Sequence, residues 1–411
     1  MTTLTCAIQL GSNRIMAIAA KKDSKTGANS NIQIESESAR DCISHGCIVS
    51  VEQTAMHIRS LIQKLSNRMH ATIKAAYVGV GGMSLHSLVQ QPTVQIPDYD
   101  VLDSDPLSNG HYQLIVGQKR IRQRVQAAMD RANVRLINLL VLPKATARIL
   151  TADERQRGCV LVDMGAGTTT VSVYHGGELR HLAVLPLGGE NVTYDIQSAG
   201  CSFEDAERIK LEWSNVAQEI QPESSATDTN AHFADKALPM PQSKLNNIAL
   251  CRYEEIADNI LHQIELAGLK GKLEAGCIIT GGAAVQQGLT ALLSRRLSIP
   301  HIQTRAYHDV AMLSSERKPH LTNALALLTF CTESCEAPAQ TVAEPAPAPA
   351  RPATVQPAAP TNDGQLDLGL PDQEPEEETP RSSNTFGQSA KRFIRDLFTG
   401  QDDTPKHSRR K

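Results

Sequence analysis

The stretch CVLVDMGAGTTTVSVYHGG, residues 159–177, runs four apolar residues into an aspartate, then a Gly-Ala-Gly-Thr turn, then an alternating Val-Ser-Val-Tyr strand. A β-hairpin needs only a turn, and Asn-Gly suffices. Asp163 followed by Gly165, Gly167 and Thr168 instead predicts a turn shaped around something held close to its backbone. Consecutive backbone N–H groups in a glycine turn form a concave anion site, because no side chain blocks approach. Asp163 cannot itself hold a phosphate; it acts through Mg²⁺, whose waters bridge carboxylate and phosphate oxygens.

The same pattern occurs earlier in the chain. CAIQLGSNRIMAIAA, starting at Cys6, repeats the order of apolar strand, polar residue, glycine turn and second strand, pairing Gln9 with Asp163 and Gly11 with Gly165. Two copies about 150 residues apart predict two similar domains, each offering a glycine turn to a shared cleft. A third element, IITGGAA (278–284), places Gly281 and Gly282 between a buried strand and a helix, where backbone can approach a flat ligand or a sugar. Any one of these turns can be an ordinary tight turn; three of them in two echoing halves point to a ligand. No GxxxxGK[ST] loop is present, and GVGG (79–82) is not a dinucleotide fingerprint.

Around these turns the pattern alternates strands and helices, an α/β arrangement. Strands are expected at Cys6–Leu10, Ala75–Val80, Leu136–Leu142, Cys159–Val162, Val171–Tyr174 and Cys277–Thr280. A helix opened by Ser50 buries Ala55, Ile58, Ile62, Leu65 and Met69 at helical spacing, and another carries Ile121, Val125, Met129 and Ala132. The polar segment 215–244 reads as a long surface loop. From 332 to 388 the composition collapses into Pro, Ala and Glu, which predicts a disordered tether.

The totals narrow the function classes. At 411 residues the chain can bury sizeable cores, and a net charge of -3 implies no global pull toward nucleic acid. Nine cysteines without CxxC pairs, no signal-peptide start and no long apolar run fit a reduced, cytosolic protein.

Two phosphate hairpins, a TGGA turn and EDAERIK (204–210) together resemble the actin–chaperone–sugar kinase ATPase fold. Within that fold, residues 150–193 and 277–293 are similar to the FtsA family of bacterial cell-division actin homologues. The resemblance implies an actin-like ATPase fold: two duplicated sheet-and-helix domains around a nucleotide cleft, binding ATP and Mg²⁺. It assigns Gly11, Ser12 and Asn13 to the first phosphate loop, and Asp163, Gly165, Gly167 and Thr168 to the second, with Asp163 near the metal. Gly281, Gly282 and Ala283 match the adenosine turn; Glu207 and Lys210 match a helix contacting ribose and base. Independently of the family, Ser202 and Asp205 mark a helix start, and Glu207 and Lys210 then share one face, where a solvated ion pair is the alternative role.

The implied layout is domain I over 1–82 and 115–158, an IC-like subdomain over 83–114, domain IIA over 159–195 and 272–306, and domain IIB over 196–271. A terminal helix at 307–331 packs on domain I, and the tether, a membrane-targeting helix (389–398) and a basic tail (399–411) follow. The family's IC domain is longer, so 83–114 is expected to form a hairpin or small sheet. The family's first phosphate hairpin usually carries an acidic residue where Gln9 stands, and LLVLPKATARIL (139–150) shows no general base, so binding without fast hydrolysis is expected.

In SAKRFIRDLF (389–398), Ala390, Phe393, Ile394, Leu397 and Phe398 fall on one helical face beside Lys391, Arg392 and Arg395. That is the composition of an interfacial helix for an anionic membrane surface. The implied role is an adaptor that tethers FtsZ to the inner face of the cytoplasmic membrane at the division site, self-associates into actin-like filaments and recruits later division proteins. Alternatives are a PilM-like pilus-assembly adaptor, which needs no terminal membrane helix, and a small-molecule kinase, which needs a carboxylate base.

Overall fold

The computed structural model describes residues 2–91, 96–218, 230–233, 236–299, 301–307 and 318–336. The first part of the chain forms β1 (Thr2–Leu10), β2 (Arg14–Asp23), β3 (Asn29–Ser38), the two-residue strands β4 (Ile43–Ser44) and β5 (Cys47–Ile48), and α1 (Val51–Met69). Then come β6 (Ala75–Val80), β7 (His86–Gln90), β8 (Tyr99–Pro106), β9 (Tyr112–Gln118), α2 (Arg120–Ala132), β10 (Arg135–Val141), α3 (Leu142–Thr146) and α4 (Ala152–Arg157). The second part forms β11 (Cys159–Met164), β12 (Thr169–His175), β13 (Glu178–Leu185), α5 (Gly189–Gln197) and α6 (Phe203–Trp213). It continues through β14 (Asn230–Phe233), β15 (Lys236–Pro241), α7 (Gln242–Leu266), β16 (Gly276–Thr280), α8 (Leu289–Leu297), β17 (Ile302–Thr304) and α9 (Thr322–Leu327).

The internal echo is a duplication of topology. The first sheet has the order β10-β6-β1-β2-β3, and the second begins β17-β16-β11-β12-β13. In each, the hairpin strand that carries the glycine turn pairs in parallel with one neighbour and antiparallel with its hairpin partner. The run CVLVDM has no polar alternation because both faces of β11 are covered. Cys159 and Leu161 belong to one hydrophobic core; Val160, Val162 and Met164 belong to the other. Asp163 shares the parity of Cys159 and Leu161, so it faces the first domain.

α1 starts where Ser50 Oγ accepts the amide of Gln53 at 3.3 Å. Its buried residues include Ala55, Ile58, Leu61, Ile62, Leu65 and Met69. Most of a helix's stability in a protein comes from packing; burial of that stripe, at roughly 1.5–3 kcal/mol per large side chain, holds it on the first sheet. α2 buries Ile121, Val125, Ala128, Met129 and Ala132 beside it.

Several expected boundaries shift. β10 ends at Val141, and Leu142 opens α3 because Pro143 suits a helical first turn. Residues 83–114 contribute to a three-stranded antiparallel unit in the order β7-β9-β8, in which β9 runs on to Gln118. That unit extends the second sheet through one register pair, Ala183 with His86. The segment 215–244 is not wholly loop: β14 and β15 pair antiparallel, and α7 begins at Gln242. The tether begins later than 332, since Cys335 is buried, donates its amide to Leu4 O at 2.8 Å, and leads into a bridge between Glu336 and Ile73. Within 307–331, α9 packs Ala324, Leu325, Ala326 and Leu327 into the first core, and Leu328 just after it joins them. The rest of the tether, the 389–398 helix and the 399–411 tail lie outside the described residues. Among the described residues no helix is long and apolar enough to cross a membrane.

Candidate functional site

Both glycine hairpins close with the same backbone bond. Gly11 N donates to Arg14 O at 3.2 Å, and Gly165 N donates to Thr168 O at 2.8 Å. Gln9 and Asp163 occupy the penultimate positions of β1 and β11. In the second hairpin, Gly165 O and Ala166 O accept from Gly189 N (3.0 Å) and Glu190 N (2.8 Å) at the start of α5. Because each peptide is planar and trans, the N–H groups of Ala166 and Gly167 then point away from α5. Ala166 borders a cleft on that side.

This cleft of ≈ 310 Å³ brings together Gly11, Ser12, Asn13, Asp163, Gly165, Thr168, Glu207, Gly281, Gly282 and Ala283. Gly167 and Lys210 stand just behind its wall. A Cβ on Gly167 would lie 2.8 Å from Ser12 Oγ, so glycine is what lets the two hairpins touch. At Gly281, φ is +93°, and a Cβ would lie 2.4 Å from Met164 O and 2.5 Å from Asp163 Oδ1. Only glycine fits that corner.

Asp163 Oδ2 accepts from Asn323 Nδ2 at 2.7 Å, and Asn323 Oδ1 accepts from Thr146 Oγ1 at 2.5 Å. Burial raises the Asp163 carboxyl above its ordinary value, and the Asn323 bond only partly opposes this. A cation would reverse that balance by favouring the carboxylate. Gln9 Oε1 is buried and has no hydrogen-bond partner, as expected of an oxygen that completes its shell with a hydrated ion. The residues present therefore fit Mg²⁺ held through water, with Asp163 as the charged member and Gln9 as a neutral acceptor.

α6 starts as expected, with Ser202 Oγ accepting from Asp205 N at 3.0 Å. The pair at Glu207 and Lys210 is not a solvated one. Lys210 is buried and its Nζ donates to Glu207 Oε2 (2.7 Å), Thr193 Oγ1 (2.9 Å) and Gly189 O (3.0 Å). Burial lowers the ammonium below its ordinary value, with Glu207 acting against the shift. Glu207 faces the cleft, and Lys210 anchors it to α5.

Residues 39–48 strap the first domain to the hairpins. Ala39 N donates to Asn13 O (2.9 Å), Gly46 N donates to Ser12 Oγ (3.0 Å), and His45 Nδ1 meets Gly167 O at 2.7 Å. Arg40 lies 3.7 Å over the Phe203 ring and pairs with Glu190 at 3.3 Å, reaching α5 and α6.

Sequence reasoning missed Arg14, Leu211, Val285, His320 and Asn323, all of which border the cleft. Leu211 lies one turn beyond Glu207 and Val285 two residues beyond Ala283; both are about half exposed, an apolar wall beside the glycine turn. Extending the α6 face by one turn would have found Leu211. His320 and Asn323 come from the last described segment, 318–336, and carry no local signal. α3 borders the cleft with Leu142 and Pro143.

A family model described as "Cell division protein FtsA" matches residues 160–326. The cell division protein FtsA of Porphyromonas gingivalis is 31% identical over 346 residues, covering 72% of this chain and 71% of that one. The Neisseria meningitidis serogroup B protein is 24% identical over 331 residues, covering 69% and 80%. Among solved structures, the PilM–PilN type IV pilus biogenesis complex aligns with a TM-score of 0.59 at 16% identity, covering 79% of this chain and 98% of that one. MreB5 of Spiroplasma citri bound to ADP aligns with a TM-score of 0.52 at 12% identity, covering 80% and 96%. These likenesses establish an actin-like ATPase fold, and with the sequence matches they settle the family: the chain belongs to the FtsA family of cell division proteins.

Proposed function

We propose that the protein is an ATP-binding adaptor that anchors FtsZ to the inner face of the cytoplasmic membrane. The observation that carries the nucleotide half is the cleft: two duplicated glycine hairpins, a third glycine corner at Gly281, the Asp163 carboxylate and the unpartnered Gln9 oxygen converge on one space. Gly11, Ser12, Asn13, Gly165, Gly167 and Thr168 would cradle the phosphates. Gly281, Gly282 and Ala283, with Leu211 and Val285, would bracket the base, and Glu207 held by Lys210 would meet the ribose. The MreB5 structures were solved with ADP and AMPPNP, which supports a nucleotide in the equivalent cleft. Leu142 and Pro143, which border the cleft, offer no group to activate a water, which supports nucleotide held rather than turned over rapidly.

The membrane half rests on the sequence of residues 389–398, with Phe393, Ile394, Leu397 and Phe398 beside Lys391, Arg392 and Arg395. Self-association and the recruitment of later division proteins follow from the family. The short 83–114 segment narrows what surface is left for such partners. The test is co-sedimentation of FtsZ with anionic vesicles by the full chain and by a chain ending at residue 388. Recruitment of FtsZ by the full chain alone supports the adaptor; equal FtsZ in both pellets, or none in either, overturns it.

A further inference from the structure

Away from the cleft, at the root of the 39–48 strap, three potential metal ligands meet. A carboxylate oxygen of Asp41, Cys42 Sγ and a ring nitrogen of His57 all lie within 4.8 Å of one another. Cys42 is fully buried at the end of the turn that follows β3, and His57 projects from α1 opposite it. The imidazole is oriented from behind. Its Nδ1 lies 2.8 Å from Glu37 Oε2, and Glu37 is itself fixed by Ser60 Oγ at 2.5 Å and Lys64 Nζ at 2.6 Å. With Nδ1 engaged by that carboxylate, Nε2 is the nitrogen left to face a metal. That Nε2 is buried without a hydrogen-bond partner, 3.5 Å from Asp41 Oδ1.

A carboxylate behind a histidine whose far nitrogen is free is the outer-shell arrangement that metal-bound histidines use. Thiolate, imidazole and carboxylate together suit a borderline divalent ion of the zinc class, which takes three protein ligands and a water at about 2.0–2.3 Å. Bonds of that length require the donor atoms to draw somewhat closer than 4.8 Å. Asp41, with a side chain 53% exposed, is free to swing in, while Cys42 and His57 are held.

We propose that Cys42, His57 and Asp41 form a three-ligand site for a zinc-class divalent cation, with Glu37 as the positioning residue for His57 and water in the fourth place. On binding, the Cys42 S–H bond breaks, its proton passes to solvent, and the sulfur lone pair forms the bond to the metal. Thiolate, carboxylate and neutral imidazole then balance the ion's two charges. Because the thiol must give up its proton to bind, the affinity rises with pH. The ion would sit three residues before His45, whose ring meets Gly167 O, and four before Gly46, whose amide meets Ser12 Oγ, stiffening the strap at its root.

The test uses the full chain stripped with chelator and titrated with Co²⁺ as a spectroscopic stand-in. The expected result is saturable uptake with a thiolate-to-cobalt charge-transfer band that Zn²⁺ abolishes by displacement. Cys42→Ser should remove the band, and surface Asp41→Asn should weaken binding without endangering the fold. Glu37→Gln should keep the band but lower affinity by about 10–100-fold. Absence of the band in the unaltered chain overturns the site and leaves His57 as a side chain held between the Glu37 and Asp41 carboxylates. A band that survives Cys42→Ser also overturns it, because the thiolate then belongs to another cysteine. An oxygen-ligated Co²⁺ in the nucleotide cleft gives no thiolate band, so this result stands apart from the nucleotide reading.

Discussion

At the scale of single residues, the cleft depends on groups whose partners lie far away in sequence. The Asp163 carboxylate lies between the hairpins and α9, positioned by Asn323, itself bonded to Thr146. Asp163→Ala is expected to weaken Mg-ATP binding by about 1–3 kcal/mol, the loss of a charged hydrogen-bonded contact. Calorimetry giving equal ATP affinity for both proteins would remove Asp163 from the site. Lys210 acts on the fold instead. Lys210→Met keeps the length but leaves Glu207 without its cation, and breaking a buried pair costs about 3 kcal/mol. Chemical denaturation checks this, and a loss under about 0.5 kcal/mol would mean that the pair is effectively solvated.

At the scale of elements, short helices are secured by their ends. α4 begins with a reciprocal cap between Thr151 and Glu154, and the Glu154 carboxylate also takes both terminal nitrogens of Arg305 at 2.8 and 2.6 Å. One side chain thus fixes the helix start and ties it to the segment after β17. The Arg305 bonds, together with the Thr151 amide, outweigh burial and hold Glu154 at about 2, against an ordinary 4.5. A depressed folded value means that the unfolded chain takes up the proton first. The stabilisation is therefore complete above about 4.5 and drains away as pH falls toward 2. At about 1.4 kcal/mol per pH unit it amounts to about 3 kcal/mol. Glu154→Gln should be less stable at neutral pH and should flatten the acid limb of the stability profile. Parallel profiles for the two proteins in urea titrations from pH 6 to pH 3 would show that the pair contributes nothing.

At the scale of the whole molecule, the proposed function divides the work between the folded body and the sequence 389–398. If 389–398 forms the expected helix, its apolar face would carry four large residues, and partial burial among headgroups would yield less than the ~1.5–3 kcal/mol of full burial for each. One copy should bind lipid weakly and reversibly, while copies gathered on FtsZ or in a filament should gain about 10²–10⁴ in avidity. Phe393→Asp with Leu397→Asp should abolish sedimentation with anionic vesicles and leave ATP and FtsZ binding intact. If the double variant sediments like the unaltered chain, the helix serves a protein groove and not a membrane.

What the sequence by itself determined is what rests on local pattern. The two hairpins, the glycine corner, α1, α2 and the Ser202 cap were legible because turn chemistry and side-chain period act over a few residues. The duplication was legible because both copies meet the same backbone demand at Gly11 and Gly165. Only the tertiary structure decided the rest. β3 and β13 mix polar and apolar residues and become strands because a hairpin partner offers them a ladder. Residues 332–336 read as tether until the first core takes Cys335 and Ile73 supplies a bridge. Lys210 reads as a surface lysine until α5 presents Gly189 and Thr193 to its ammonium. Asn323 and Arg40 reach the cleft and its rim across 160 and 150 residues of chain, respectively. Contacts of that span leave no periodicity in the chain, because their geometry exists only once both domains have folded against each other.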